Sequence, residues 1–157
     1  MYGELFKTMA GVDLLTVHYR GAGPALPELM SGRAQVMFDP VASSIAYIRA
    51  GKLRALGVTT ATRIEALPDI PPIGDFVPGF EASGWDGIGA PAHTMPDRIS
   101  ILNNEVNAAL ADPTFRSRLS DLGTEPFASS PGEFGKFISA YIKMWRPVIE
   151  TAGIKAE

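Results

Sequence analysis

Cysteine is absent, which excludes a disulfide framework, a thiolate metal site and a thiol nucleophile, and leaves the redox compartment open. Histidine is nearly absent as well. His18 and His93 lie far apart, lack the i,i+4 spacing of a zinc helix and stand in no recognisable triad order with Ser or Asp. His18 is expected to pack or face solvent at the end of a strand, and His93, in a Pro-Ala-His-Thr loop, to be solvated. Positive charge is also in short supply: 14 Lys and Arg, spread along the chain, stand against 17 Asp and Glu, a net charge of −3. That balance gives no electrostatic case for binding nucleic acid or an anionic membrane. No apolar run reaches the roughly 18 residues that a spanning helix needs. Met1-Tyr2-Gly3-Glu4-Leu5-Phe6-Lys7 has no basic region leading into a long apolar stretch. As written, the chain is expected to lack a signal peptide and to be cytoplasmic if made in that form. Gly21-Ala22-Gly23 lacks the third glycine and the ribose-binding acid of a dinucleotide loop. The expectation is no catalytic residue, no cofactor and no metal.

What the sequence does hold is apolar mass, 46% hydrophobic over 157 residues, which is enough for a core and argues against disorder. That mass is organised around residues 14–49. Leu14 to Tyr19 predicts a strand, and Arg20 to Gly23 a glycine-bracketed turn that frees the backbone for unusual φ/ψ values. Pro24 and Pro27 fall in the first turn of a helix predicted from Pro24 to Met30, where N–H groups have no intrahelical partner, and Gly32 stops it. Ala34 to Phe38 predicts a second strand, Asp39 an N-cap, and Pro40 the first position of a helix that ends at Gly51. Each elbow presents unpaired N–H donors and about half a positive charge. At the carboxyl ends of strands in an open sheet, a small anion such as a carboxylate is the natural guest. Ordinary strand–helix connections have the same ingredients and touch nothing, so both readings stay open.

Residues 1–10 predict the end of an amphipathic helix with Leu5, Phe6 and Met9 at helical spacing, stopped at Gly11. Leu53 to Thr59 predicts a further buried strand. Leu67-Pro68-Asp69-Ile70-Pro71-Pro72 must be extended, because each residue before a proline is pushed out of the α region. Ser83 to Ala90 carries Trp85 and Ile88 among three glycines and predicts a strand, with Trp85 either at a hinge or, the favoured reading, in the core. Pro96 opens a helix with Ile99, Leu102, Val106 and Leu110 on one face. Asp112-Pro113 ends that helix and caps the next, which stops at Gly123, and Glu125 to Phe127 is a candidate short strand. Ser130-Pro131-Gly132-Glu133 is a capping box opening a helix to about Thr151, whose stripe of Phe134, Phe137, Tyr141, Met144, Trp145 and Val148 is predicted core.

A family resemblance rests on runs that span nearly the whole chain: Gly3-Glu4-Leu5-Phe6-Lys7, Val17-His18-Tyr19-Arg20-Gly21 with Pro24-Ala25-Leu26, Val36-Met37-Phe38-Asp39 and Ile48-Arg49-Ala50-Gly51-Lys52-Leu53-Arg54-Ala55-Leu56. Ala66-Leu67-Pro68-Asp69-Ile70-Pro71, Pro78-Gly79-Phe80-Glu81-Ala82, Gly84-Trp85 and Ala152-Gly153-Ile154-Lys155 follow in the same order. The chain resembles the substrate-binding receptors of tripartite tricarboxylate transporters, the Bug or TctC-like family. The resemblance implies no enzyme and a periplasmic setting. It also implies an α/β chain that is the C-terminal half of a two-lobe periplasmic-binding-protein fold, type II-like, with open sheets flanked by helices. Residues 1–82 would be the second-lobe portion lacking its first strand, and 83–157 the segment returning to the first lobe.

The resemblance implies a small organic mono- or dicarboxylate as ligand and membrane transporter subunits as partners of a full-length parent. Candidate ligand-binding residues are Tyr19, Arg20, Gly21, Ala22, Gly23 and Asp39. Arg20 could give a bidentate carboxylate contact, although an elbow arginine commonly points to solvent. Asp39 is expected first to cap its helix, with cleft contact as a second role, because a bare carboxylate would repel an anionic guest. A second reading of different class remains, in which the chain lacks a complete cleft and acts only as a self-associating structural domain. A homodimer, or a separate chain supplying the N-terminal half, is expected to cover strand edges left open.

Overall fold

The computed structural model describes residues 1–154. They contain α1 (Tyr2–Ala10), α2 (Ala22–Met30), α3 (Val41–Arg49), a short 3-10 turn (Ile73–Asp75), α4 (Pro96–Ala111), α5 (Pro113–Asp121) and α6 (Pro131–Thr151). The chain divides into two compact units, one of residues 1–84 and one from Trp85 onward.

The expected α/β arrangement of open sheets flanked by helices is not what forms. Among the described residues there is no strand, and the only β pairing is one isolated parallel bridge between Val58 and Pro72. It is closed by Val58 N donating to Pro71 O at 2.9 Å and Ile73 N to Val58 O at 2.9 Å. The segments expected as strands, 14–19, 34–38, 83–90 and 125–127, have no ladder, and 53–59 carries only that bridge. The reason is that strand patterning reports which side chains want burial, whereas a strand exists only when a second segment closes its hydrogen bonds. The apolar positions of these segments accordingly stand open: Leu15 is 92% exposed, Ile88 72%, Leu56 65% and Val17 58%.

Helices need no such partner, and here local chemistry decides. Gly11 closes α1 in the left-handed region, at φ 65°, and donates to Lys7 O. Phe6 of α1 packs on Phe38 and Phe80, with ring centroids 5.7 and 6.0 Å apart. The core of the first unit gathers Ala25 and Leu26 of α2, Ile45 of α3, and Val58, Ile64, Phe80 and Ala82. Ala82 N donates to Thr59 O at 2.8 Å, bringing the chain beyond the proline-rich stretch back to that core.

α2 starts two residues earlier than the prolines suggest, at Ala22, so Pro27 lies inside the helix and not in its first turn. It removes the bond that its N–H would have made to Gly23 O. In the second unit Asp112 caps α5 by accepting from Phe115 N at 2.8 Å. The capping box of α6 is complete: Glu133 N donates to Ser130 Oγ at 3.2 Å, and Ser130 N to Glu133 Oε2 at 2.8 Å. Trp85, at 39% exposed, is not core. One side of it meets the edge-on rings of Phe134, Phe137 and Tyr141 on α6 at 5.3, 5.7 and 5.9 Å. The buried tryptophan is Trp145, 2% exposed. Asn103 and Asn107 tie α4 to the loop before α6 by donating to Ser129 O at 2.8 and 3.1 Å.

Candidate functional site

The first candidate feature is the elbow that opens α2. Gly21 has φ 98° and ψ −178°, a region that only glycine enters without strain, and this turns the chain from the segment 12–19 into the helix. No side chain caps α2, so the N–H groups of Ala22 and Gly23 have neither an intrahelical acceptor nor a side-chain one. The space around them is open: a Cβ added at Gly21 or Gly23 would meet nothing within 4 Å. Arg20 is exposed, and no ion pair or hydrogen bond holds its side chain among the described residues. Tyr19 is 38% exposed. Arg20, Gly21 and Gly23 are exposed, and Ala22 is half-buried.

The second feature is Asp39. It does not cap α3, because Pro40 occupies the cap position and no side chain bonds to the first turn. Both carboxylate oxygens are sealed from water and have no hydrogen-bond partner. Burial pushes the carboxyl up from its ordinary range, with the nearby Ser44 and Ser43 hydroxyls moderating the rise. Ser44 itself is buried, and its hydroxyl also reaches Pro40 O at 3.4 Å, a long bond. Ser43 and Ser44 escaped notice in the sequence. The spacing Asp39-Pro40-Val41-Ala42-Ser43-Ser44, with serines one helical turn beyond the aspartate, was the available signal.

No hydrogen bond or ring contact joins Asp39 to residues 19–23 among the described residues. Glu4 is a structural counterexample to Asp39: Thr16 donates to its carboxylate and Lys7 pairs with it at 3.2 Å, and both hold its carboxyl below the ordinary range. His93 has φ 68° in an exposed turn and His18 is exposed. Among the described residues no group of three or more His, Asp or Glu side chains is placed to hold a metal ion, and no helix is long and apolar enough to cross a membrane. The chemistry available is hydrogen-bond donation at one elbow and acceptance at the other.

Comparison with known proteins gives a consistent result. A family model described as "Tripartite tricarboxylate transporter family receptor" matches residues 1–154. A UPF0065 protein from the clcB–clcD intergenic region of Pseudomonas knackmussii is 35% identical over 147 residues, covering 92% of this chain and 87% of that protein. Among solved structures, R. palustris Rpa4515 with adipate superimposes with a TM-score of 0.92 at 38% identity, over 98% of this chain and 52% of that one. The periplasmic binding protein BugD gives 0.87 at 30% identity, over 99% and 53%. MatC from Rhodopseudomonas palustris with bound malate gives 0.81 at 28% identity, over 94% and 52%. The chain thus spans about half the length of these three solved structures.

Proposed function

Because the chain belongs to the tripartite tricarboxylate transporter receptor family, we propose that it supplies one side of a site for a small organic carboxylate in an extracytoplasmic solute receptor. The family is one of substrate-binding receptors and not of enzymes. The observation that carries the reading is the exposed elbow of α2, where Gly21 at φ 98° turns the chain into the helix and no side chain caps the N–H groups of Ala22 and Gly23. Unpaired donors at a helix N-terminus, reinforced by the helix dipole, suit a carboxylate. Tyr19 and Arg20 flank those donors, and Arg20 can add a charge-assisted bond. Adipate and malate in the similar solved structures support a mono- or dicarboxylate as guest. A transporter's membrane subunits are the partners that this reading assigns to a full-length receptor.

With one elbow supplying the donors, a ligand stays open to water on its other side, so affinity is weak, in the millimolar range. Small-molecule sites gain most of their affinity by enclosing the ligand. Titration with adipate should give saturable binding that Gly23→Pro abolishes, since proline removes one donor at a position where the helix tolerates it. Equal binding by the variant would refute the elbow as the site.

A second reading has its own observation. Leu15, Val17, Leu56 and Ile88 stand 58–92% exposed on segments without ladder partners, and unpaired apolar edges favour pairing with another chain. A second copy is the favoured cover, and a chain carrying an N-terminal half is the alternative. Light scattering should give twice the 16.8 kDa chain mass; a monodisperse monomer would remove this reading.

A further inference from the structure

Residues 12–20, which lead into the elbow of α2, are exposed apart from the half-buried Leu14. Their start is fixed where Val12 N donates to Lys7 O at 3.2 Å, just past the Gly11 cap of α1. Beyond that point, among the described residues, the one hydrogen bond made by residues 13–20 is that of Thr16, whose hydroxyl donates to the Glu4 carboxylate on α1. Lys7 holds the other oxygen of that carboxylate at 3.2 Å, so the acceptor is itself fixed in place. A stretch with so few bonds is ordered only by what ties it, and the Thr16 bond divides it into two shorter lengths that wander less. The same stretch of α1 reaches the second elbow. Phe6 packs on Phe38, the residue before Asp39, with ring centroids 5.7 Å apart, and a Cβ added at Gly3 would touch that ring at 3.5 Å.

We propose that α1 is the platform of the candidate site, with Glu4, acting through Thr16, as a positioning residue for the elbow of α2. Glu4 itself touches no ligand. Its part is to hold the segment that sets where the N–H groups of Ala22 and Gly23 stand, so that a guest meets donors already in place and does not have to order them on arrival. The inference rests on the carboxylate reading above for its effect on binding, and on the tether alone for its effect on order.

Backbone amide relaxation of the isotope-labelled full chain, read without ligand, tests the tether. Thr16→Val keeps the shape and removes the donor, and it should lower the order of the amides of residues 17–23 while α3 and the second unit stay as they are. Thr16→Ser returns the hydroxyl and should return the order. Glu4→Ala should match Thr16→Val, and the double variant should lose no more than either, as the two halves of one bond require. Titration with adipate then reads the site: Thr16→Val should bind about fivefold more weakly than wild type, the scale of one ordering step, and Thr16→Ser as well as wild type. An elbow as ordered in Thr16→Val as in wild type, a loss of order spread over the whole first unit, or equal adipate affinity in the two would overturn the positioning role. If Glu4→Ala fails to fold, because it also gives up the Lys7 pair, the two Thr16 variants carry the test. If adipate binds no form of the chain while residues 17–23 respond as stated, the carboxylate reading falls and the tether is upheld.

Discussion

Replacing Asp39 by asparagine keeps the side-chain shape and removes the charge, and the account predicts that the protein becomes more stable at neutral pH. The carboxyl is raised from its ordinary value of 3.8 because burial disfavours the anion, and the Ser44 and Ser43 hydroxyls only moderate that rise. A group raised in this way holds its proton more tightly in the folded than in the unfolded chain. Its contribution is full below the unfolded value and is lost as pH rises through the folded one. The wild type therefore loses stability as pH rises and this desolvated carboxyl ionises, with only the two serine hydroxyls to offset its burial. Asparagine is still polar, so what the substitution relieves is the desolvated charge, about 1 kcal/mol. For a chain of this size that raises Tm by roughly 2–4 °C. Thermal unfolding followed by circular dichroism, repeated from acid to neutral pH, reads both the size and the slope. The gain should vanish in acid, where the wild-type carboxyl is already neutral. Glu4 and Glu133 work in the opposite sense, since both are held below the ordinary range and lose their contribution as pH falls. The difference between variant and wild type cancels them. A variant less stable than wild type at neutral pH, with no change of slope, would refute the reasoning and mean that Asp39 is well paired.

Ser130→Ala should cost about 1 kcal/mol, because it removes the Ser130 half of the capping box that opens α6, and urea unfolding at neutral pH measures it. The same variant should release Glu133 toward its ordinary titration, which carboxyl chemical shifts would follow. Gly21→Ala should cost about 1–3 kcal/mol, because alanine at φ 98° and ψ −178° is strained even though no atom lies within 4 Å of the new Cβ. Equal stability of Gly21→Ala would mean that the elbow relaxes to another conformation.

The helices were legible in the sequence because their bonds close within themselves and their ends are marked by single residues. Gly11, Gly32, Gly51 and Gly123, read as stops, all take positive φ, and the caps at Asp112 and Ser130 form as the spacing indicates. Interior prolines were less legible. Pro27 sits within α2, and Pro147 lies inside α6 without ending it, because a helix held by packing on Trp145 and its ring neighbours survives one lost bond. The strands were illegible for a different reason. Leu15, Val17 and Tyr19 alternate as a strand face should, yet alternation carries no information about whether a neighbour is there to pair. Of the candidate site, the glycines of the α2 elbow were visible through turn chemistry. Asp39 was visible as a residue and misread as a cap, because Asp-Pro fits both a cap followed by N1 and a cap displaced by one position.

The central claim is that the open N–H groups of the α2 elbow receive a carboxylate, and the most direct measurement follows the backbone amides of the isotope-labelled chain during titration with adipate. The account predicts saturable shifts at Ala22 and Gly23, with millimolar half-saturation, and loss of the Ala22 shift in Gly23→Pro, whose residue 23 has no amide to report, while the rest of the spectrum stays folded. Shifts confined to other residues, or undiminished binding by the proline variant, would contradict it.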